Sequence, residues 1–235
     1  MSPTLTMSKL LNTASRWAET PLRLLFVTCV AYPVVWLWLG IHVRHRERLP
    51  RRGPAIIAAN HNSHLDILAL LSLFPLLRVP GVQPAAAADY FCKNWLVKWF
   101  SLHVIGIIPV VRGSLHGCPG APDPLADCYR ALEAGKVLVI FPEGTRGAPE
   151  EMAELKAGIW HLAKRFPEVP VIPVYLHGLG KAMPKGTLIP VPFYVKVAVG
   201  QPLHGGTDKL DFLRLLREQL TWLQHKVHTP ALADD

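Results

Sequence analysis

AIIAANHNSHLDILALLSLF, running from Ala55 to Phe74, decides how the rest of this chain is read. Its first five residues form a short apolar run suited to a buried strand. Its last ten, LDILALLSLF, are almost wholly apolar and have helical length. Between them NHNSHLD (Asn60 to Asp66) is polar and brings two histidines and an aspartate within six residues. Strand, polar turn and helix form the repeating unit of an α/β layer.

Outward from this stretch, short apolar or β-branched runs recur: PAAAA at 84–88, IIPVV at 107–111, KVLVIF at 136–141, VPVIPVYL at 169–176 and FYVKVAV at 193–199. Helix-like stretches lie between several of them: DPLADCYRALEAG (123–135), LKAGIWHLAKRF (155–166) and KLDFLRLLREQLTWLQ (209–224). The alternation predicts an α/β fold with a central, mostly parallel or mixed sheet and helices on both faces. No internal repeat or low-complexity tract occurs. The segment Arg112 to Pro124, rich in Gly, Pro and His, reads as a surface loop, and 229–235 as a disordered tail.

With 235 residues the chain is long enough for one well-buried domain, placed here at 49–228. Half of the residues are hydrophobic, only 18% are charged, and the net charge is +8. An apolar chain with excess positive charge suits an anionic surface or substrate, which charge alone does not resolve into lipid headgroup, phosphate or nucleic acid. Cys29, Cys92, Cys118 and Cys128 form no C-x-x-C pair, which argues against a disulfide scaffold or zinc ribbon and for reduced thiols facing the cytosol.

Residues 1–48 read as a membrane-anchoring helical segment. Leu24 to Ile41 is eighteen residues without a formal charge, at the short end for crossing a bilayer. Arg16 and Arg23 precede it, and Arg44, Arg46, Arg48, Arg51 and Arg52 follow; Trp36 and Trp38 sit near its end, where amphipathic rings favour the interface. A cleaved signal is disfavoured, because the run starts late and no small-x-small site follows. A single span and a monotopic anchor both fit, the latter because Pro33 interrupts the run and Thr6 to Trp17 offers a second interfacial helix.

NHNSHLD itself has three readings. His61, His64 and Asp66 resemble a metal-ligand run, but no other cluster supplies a third or fourth converging ligand, so no metal is expected. In the second reading His61 ends the strand and Asp66 lies one turn into the helix. The carboxylate then fixes the imidazole tautomer and leaves the other nitrogen free to take a proton. In the third, Ser63 or Asn62 caps the helix and Asp66 merely favours its positive end. On this stretch alone the second and third stand level.

FPEGTRG (Phe141 to Gly147) breaks the tie. It too follows an apolar run, and Gly144, Thr145 and Arg146 offer backbone access, a hydroxyl and a forked donor for phosphate. NHNSHLD and FPEGTRG together resemble the glycerolipid acyltransferase family, which includes the lysophosphatidic acid acyltransferases. IIPVVRG (Ile107 to Gly113) and VPVIPVYLHG (Val169 to Gly178) match the family's second and fourth blocks, so the resemblance covers roughly residues 55–200.

The resemblance implies that His61 is the general base for an acceptor hydroxyl, oriented by Asp66. It implies that Arg112, Glu143, Gly144, Thr145 and Arg146 shape a glycerol-phosphate site, with Lys156 and Pro173 as further candidates. The implied reaction moves a fatty acyl group from acyl-CoA or acyl-carrier protein, as cosubstrate and with no cofactor, to a lysophospholipid. First choice is 1-acylglycerol-3-phosphate, giving phosphatidic acid. Glycerol-3-phosphate, another lysophospholipid, lyso-ornithine lipid, or a non-catalytic lipid-binding role are the alternatives. The implied location is a membrane, the inner one in a bacterium, with the catalytic domain facing the cytoplasm. The chain departs from the family pattern at Gly147, where Ser is usual, and at ADYFCKNW (Ala88 to Trp95), which lacks a Lys-rich start.

Rival classes fit less well. A nucleic-acid binder would interleave basic and aromatic residues on a soluble domain, whereas here the basic cluster adjoins an apolar segment. A serine hydrolase would need G-x-S-x-G, which does not occur.

Overall fold

A computed structural model of the chain describes residues 20–88, 94–111, 123–147, 151–184, 187, 189–206 and 208–228. Seven strands form one mixed sheet: β1 (Ile41–Arg44), β2 (Ala55–Ala59), β3 (Val82–Ala87), β4 (Ile108–Val110), β5 (Val137–Ile140), β6 (Val171–His177) and β7 (Val195–Val199), in the order β1-β7-β6-β2-β5-β3-β4. From β6 through β4 every pairing is parallel; β7 joins β6 antiparallel, and β1 pairs parallel with β7, so these two strands run against the rest.

β2 lies at the centre, and all five of its residues are buried. Successive side chains point to opposite faces. Ala55, Ile57 and Ala59 enter the core with Val27, Val35, Leu70 and Leu71, while Ile56 and Ala58 face Ile159, Leu162 and Leu216. A strand covered on both sides reads as a continuous apolar run, as AIIAA does.

The first face carries α1 (Thr20–Trp38) and α2 (Leu65–Ser72). α3 (Trp95–Ile105) touches α1, the Phe26 and Phe100 rings meeting edge-on at 5.1 Å. The opposite face carries α4 (Ala126–Glu133), α5 (Gly158–Arg165) and α7 (Lys209–His228), and a short α6 (Leu179–Ala182) follows β6. α7 buries Phe212, Leu216, Leu220, Leu223 and Val227 along one side. Its final carbonyls accept from cations on neighbouring strands, Val227 from Lys196 at 2.8 Å and Lys226 from Arg44 at 2.5 Å, which complements the helix's negative end.

α1 is the one helix among the described residues long and apolar enough to cross a membrane. It nevertheless lies lengthwise on the domain: Val27, Ala31, Val35 and Leu39, spaced by four, are buried in the shared core. Leu22, Leu25, Val30, Leu37 and Trp38 remain exposed on its other side. Pro33 has no N–H to give, and the hydrogen-bond ladder around it widens to π turns, with Tyr32 N–H on the Val27 carbonyl and Leu39 N–H on that of Val34.

Two elements differ from the sequence reading. β1 falls inside the segment assigned to the anchor, because IHVR alternates apolar and polar side chains over only four residues and forms no hydrophobic run. α3 went unread because WLVKWF is exposed at every position and shows no periodic face. The segment Thr6 to Trp17, the loop at 112–122 including Arg112, and the tail at 229–235 lie outside the described residues. So do Cys92 and Cys118, while Cys29 and Cys128 are free thiols, the former exposed and the latter buried.

Candidate active site

β2 and β5 are adjacent parallel strands, with Ala58 opposite Ile140, so the residues after each emerge together at the carboxyl edge of the sheet. In open parallel sheets this edge is where ligands bind. Topology thus joins NHNSHLD to FPEGTRG across the seventy-four residues between Asp66 and Phe141.

Asp66, in the first turn of α2, is fully buried. Its Oδ2 lies 2.9 Å from His61 Nδ1 and accepts the backbone N–H groups of Asn62 at 2.6 Å and Ser63 at 2.8 Å. Burial raises the Asp66 pKa, and its hydrogen bonds with His61, Ser63 and Asn62 oppose that shift. Three donors converging on one oxygen call for a carboxylate, which puts the His61 proton on Nδ1 and leaves the Nε2 lone pair open. The imidazole stacks on Phe141, centroids 4.1 Å apart, and 18% of its side chain is exposed. Ser63 Oγ accepts only a long bond from Leu65 N–H at 3.4 Å, so the turn is held chiefly by Asp66 reaching back rather than by a serine cap.

Glu143, 1% exposed, joins the two motifs. Its Oε1 accepts His61 N–H at 2.9 Å and its Oε2 accepts Ala153 N–H at 2.8 Å. Burial raises its pKa, and these two backbone bonds oppose the shift. Gly147 N–H returns a bond to the His61 carbonyl at 3.2 Å. A methyl at Gly147 would stand 3.0 Å from the Glu151 carbonyl oxygen, which suits this position to the smallest residue. Expected in the acceptor site, Glu143 thus directs both oxygens to backbone N–H groups.

The other sequence candidates divide. Gly144 adopts φ +73 in the turn, Thr145 is exposed and Arg146 half-buried. His64 is pressed down to about 4 by desolvation first and then by the Arg146 and His61 charges, so the guanidinium field reaches this edge. Lys156 donates its backbone N–H to the Pro142 carbonyl at 2.7 Å, while its ammonium pairs with Glu154 at 3.3 Å on the surface. Pro173 is buried within β6 opposite Ala58, below the edge. Among the described residues no group of three or more His, Cys, Asp or Glu converges to hold a metal.

Two contributors, Asn60 and Phe141, have no place among the sequence candidates, and a third, Asn62, enters there only as a helix cap. Asn60 exchanges two bonds with the Leu176 backbone, at 2.9 and 2.7 Å, and Asn62 donates to the same carbonyl at 3.1 Å, tying the end of β2 to β6. Phe141 supplies the surface under the imidazole. The available signal was polar residues crowding the end of an otherwise apolar strand, since buried amides need partners.

The acyltransferase family model matches residues 40–177. The chain is 31% identical over 184 residues to the chloroplastic 1-acyl-sn-glycerol-3-phosphate acyltransferase LPAT1 of Arabidopsis thaliana, covering 76% of this chain and 47% of that protein. It is 28% identical over 169 residues to the 1-acyl-sn-glycerol-3-phosphate acyltransferase of Bacillus subtilis, covering 70% and 74%. The chain thus spans about half the length of the Arabidopsis relative and most of the Bacillus one. In fold it resembles the crystal structure of the 1-acyl-sn-glycerophosphate acyltransferase PlsC from Thermotoga maritima, with a TM-score of 0.70 and 20% identity, covering 93% of this chain and 83% of that one. With more than half of its length matched by the family model, and with both motifs meeting at one edge of the sheet, this chain belongs to the acyltransferase family.

Proposed function

We propose that this chain transfers a fatty acyl group from an acyl-CoA or acyl-carrier-protein thioester to the free hydroxyl of 1-acylglycerol-3-phosphate, giving phosphatidic acid. The observation that carries the reading is the 2.9 Å contact between His61 Nδ1 and buried Asp66 Oδ2, which directs Nε2 outward as a base. Nε2 takes the proton of the acceptor hydroxyl as its oxygen attacks the thioester carbonyl carbon. The tetrahedral intermediate then collapses, the C–S bond breaks, and the leaving thiolate recovers the proton from the imidazolium. No covalent acyl-enzyme is needed. Arg146, with Gly144 and Thr145, receives the acceptor phosphate, and Arg112 belongs to the same set by its place in the second block.

We place the domain on the bilayer as a monotopic protein, α1 lying in the interface with Leu22, Leu25, Val30, Leu37 and Trp38 towards lipid and its opposite stripe in the core. Its catalytic edge faces the cytoplasm, where thioester donors and reduced thiols belong.

The test is transfer from labelled acyl-CoA, or acyl-carrier protein, by membranes holding the full chain. The acceptors are lysophosphatidic acid, glycerol-3-phosphate, a neutral lysophospholipid and lyso-ornithine lipid, with His61→Ala as control. The expected result is His61-dependent labelling of lysophosphatidic acid, with an Arg146→Ala KM for that acceptor raised roughly 10- to 100-fold. Labelling of another acceptor would move the substrate assignment, and turnover by His61→Ala would remove the base.

A further inference from the structure

A polar pocket opens at the other end of the sheet from His61. It has a volume of about 170 Å³, and its polar lining comes from Thr20, Arg23, Gln83, His103 and Lys136. Gln83 is the second residue of β3, and Lys136 immediately precedes β5. These are the amino ends of the parallel strands, whereas His61 follows the carboxyl end of β2. The two sites therefore lie on opposite edges.

The pocket is built around a cation. Arg23 is 6% exposed; its Nη2 donates to the Val82 carbonyl, and its Nε has no partner among the described residues. Burying a guanidinium without a counter-charge is costly, and such groups are normally paired. No carboxylate is among the described residues lining the pocket, and burial lowers the Arg23 pKa to about 10. Lys136, whose Nζ donates to the Pro80 carbonyl at 3.3 Å, adds a second positive charge, and His103 adds an imidazole. The backbone makes room for this arrangement. Gly106 sits at φ +75, and a methyl there would lie 2.6 Å from Arg23 Nη1.

We propose that this pocket binds a phosphate group as the missing counter-charge of Arg23. A guanidinium with an open N–H beside an ammonium matches the tetrahedral oxygens of phosphate. The phosphate has two possible sources, a lipid headgroup or the free ion. Arg23 and Thr20 come from α1, and Leu102 and His103 come from α3. Both helices expose apolar side chains nearby, Leu22 and Leu25 on the first and Trp95, Trp99 and Phe100 on the second. A headgroup reaching the pocket would thus keep its chains against apolar protein. This site is independent of the acyl-transfer reading.

Gln83→Glu tests the inference with little risk to the fold, because it puts a carboxylate beside Arg23. Gln201→Glu, on the exposed surface, makes the same charge change elsewhere. The full chain would be melted in increasing inorganic phosphate at fixed ionic strength. In an Arg146→Ala background, which removes the proposed acceptor-phosphate site, the expected result is a Tm rise of a few degrees for the parent and for Gln201→Glu, and none for Gln83→Glu. Sedimentation with phosphatidylcholine vesicles, with and without phosphatidylglycerol, then identifies the source. A phosphatidylglycerol-dependent gain lost only in Gln83→Glu assigns a headgroup, and an equal gain in both variants assigns the free ion. A phosphate shift that survives Gln83→Glu in that background, or its absence from the Arg146→Ala parent, would overturn the proposal.

Discussion

Glu143 Oε1 accepts the backbone N–H of His61 at 2.9 Å, so a side chain of the FPEGTRG turn holds the main chain of the NHNSHLD turn. The other oxygen holds Ala153 at 2.8 Å. A carboxylate with both oxygens on backbone N–H groups stiffens the loop that presents the imidazole, and its effect on chemistry is transmitted through position. Glu143→Gln is isosteric but turns an amide NH₂ towards one of these N–H donors. An unmatched buried donor costs about 1–3 kcal/mol. The expected outcome is a lower Tm together with a fall in kcat larger than any change in KM, read by thermal melting and steady-state kinetics. Equal kcat in the variant would leave Glu143 a purely structural residue.

Asp66→Asn keeps the volume and removes the charge. The amide oxygen can still accept from Asn62 and Ser63, but it no longer favours the imidazolium that forms during transfer. Activity should fall roughly 10²- to 10⁴-fold, the usual range for losing positioned general-base assistance. A variant whose melting is nearly unchanged while kcat collapses would place the role of Asp66 in catalysis. Parallel loss of both would place it in folding.

His64 gives a pH signature in stability. Its pKa falls from 6.5 to about 4 in the folded chain, desolvation leading and the Arg146 and His61 charges adding. Between those values the unfolded chain binds more protons than the folded one, so this residue's contribution is complete above about 6.5 and is lost as pH falls towards 4. Asp66 and Glu143, with raised pKa values, slope the opposite way, so the comparison must be made against a variant at each pH. His64→Gln should melt at a nearly constant offset from wild type at pH 7 and above, and close that gap progressively towards pH 4. Exposure of the side chain moderates the size of the effect.

The outer side of α1 can be probed without disturbing its inner side. Leu25 and Leu37 are 60% and 84% exposed. Leu25→Glu with Leu37→Glu should shift Tm by no more than about 2–4 °C, since exposed substitutions usually cost less than about 0.5 kcal/mol each. The same pair should release the protein from vesicles in a flotation assay. Retention on vesicles would assign attachment to other parts of the chain.

Much of this was legible because central parallel strands are apolar throughout. AIIAA, KVLVIF and VPVIPVYL announced β2, β5 and β6 by composition alone, and the polar residues after the first two marked the edge where a site could form. What stayed hidden depended on partners distant in sequence. β1 exists because Ile41 to Arg44 find Val195 to Ala198, and nothing local in IHVR requires a strand. The family resemblance places Glu143 in the acceptor site beside Gly144, Thr145 and Arg146. That it turns inward follows from the His61 and Ala153 amides, which no spacing rule displays. Phe141 looked like the last residue of a hydrophobic strand and is also the surface on which the imidazole rests.

β1 also bears on how the chain is made. Ile41 leaves the ribosome before most of the domain, and its partner Val195 follows only after most of it has been synthesised. Through that interval α1 has no completed sheet against which to bury Val27, Ala31 and Val35, and its whole circumference is open to whatever apolar phase is nearest. On the monotopic placement proposed above, engagement with a bilayer precedes folding, and the sheet closes over a helix already at the lipid surface. A chain begun after Trp38 would lack both the early contact and part of its own core.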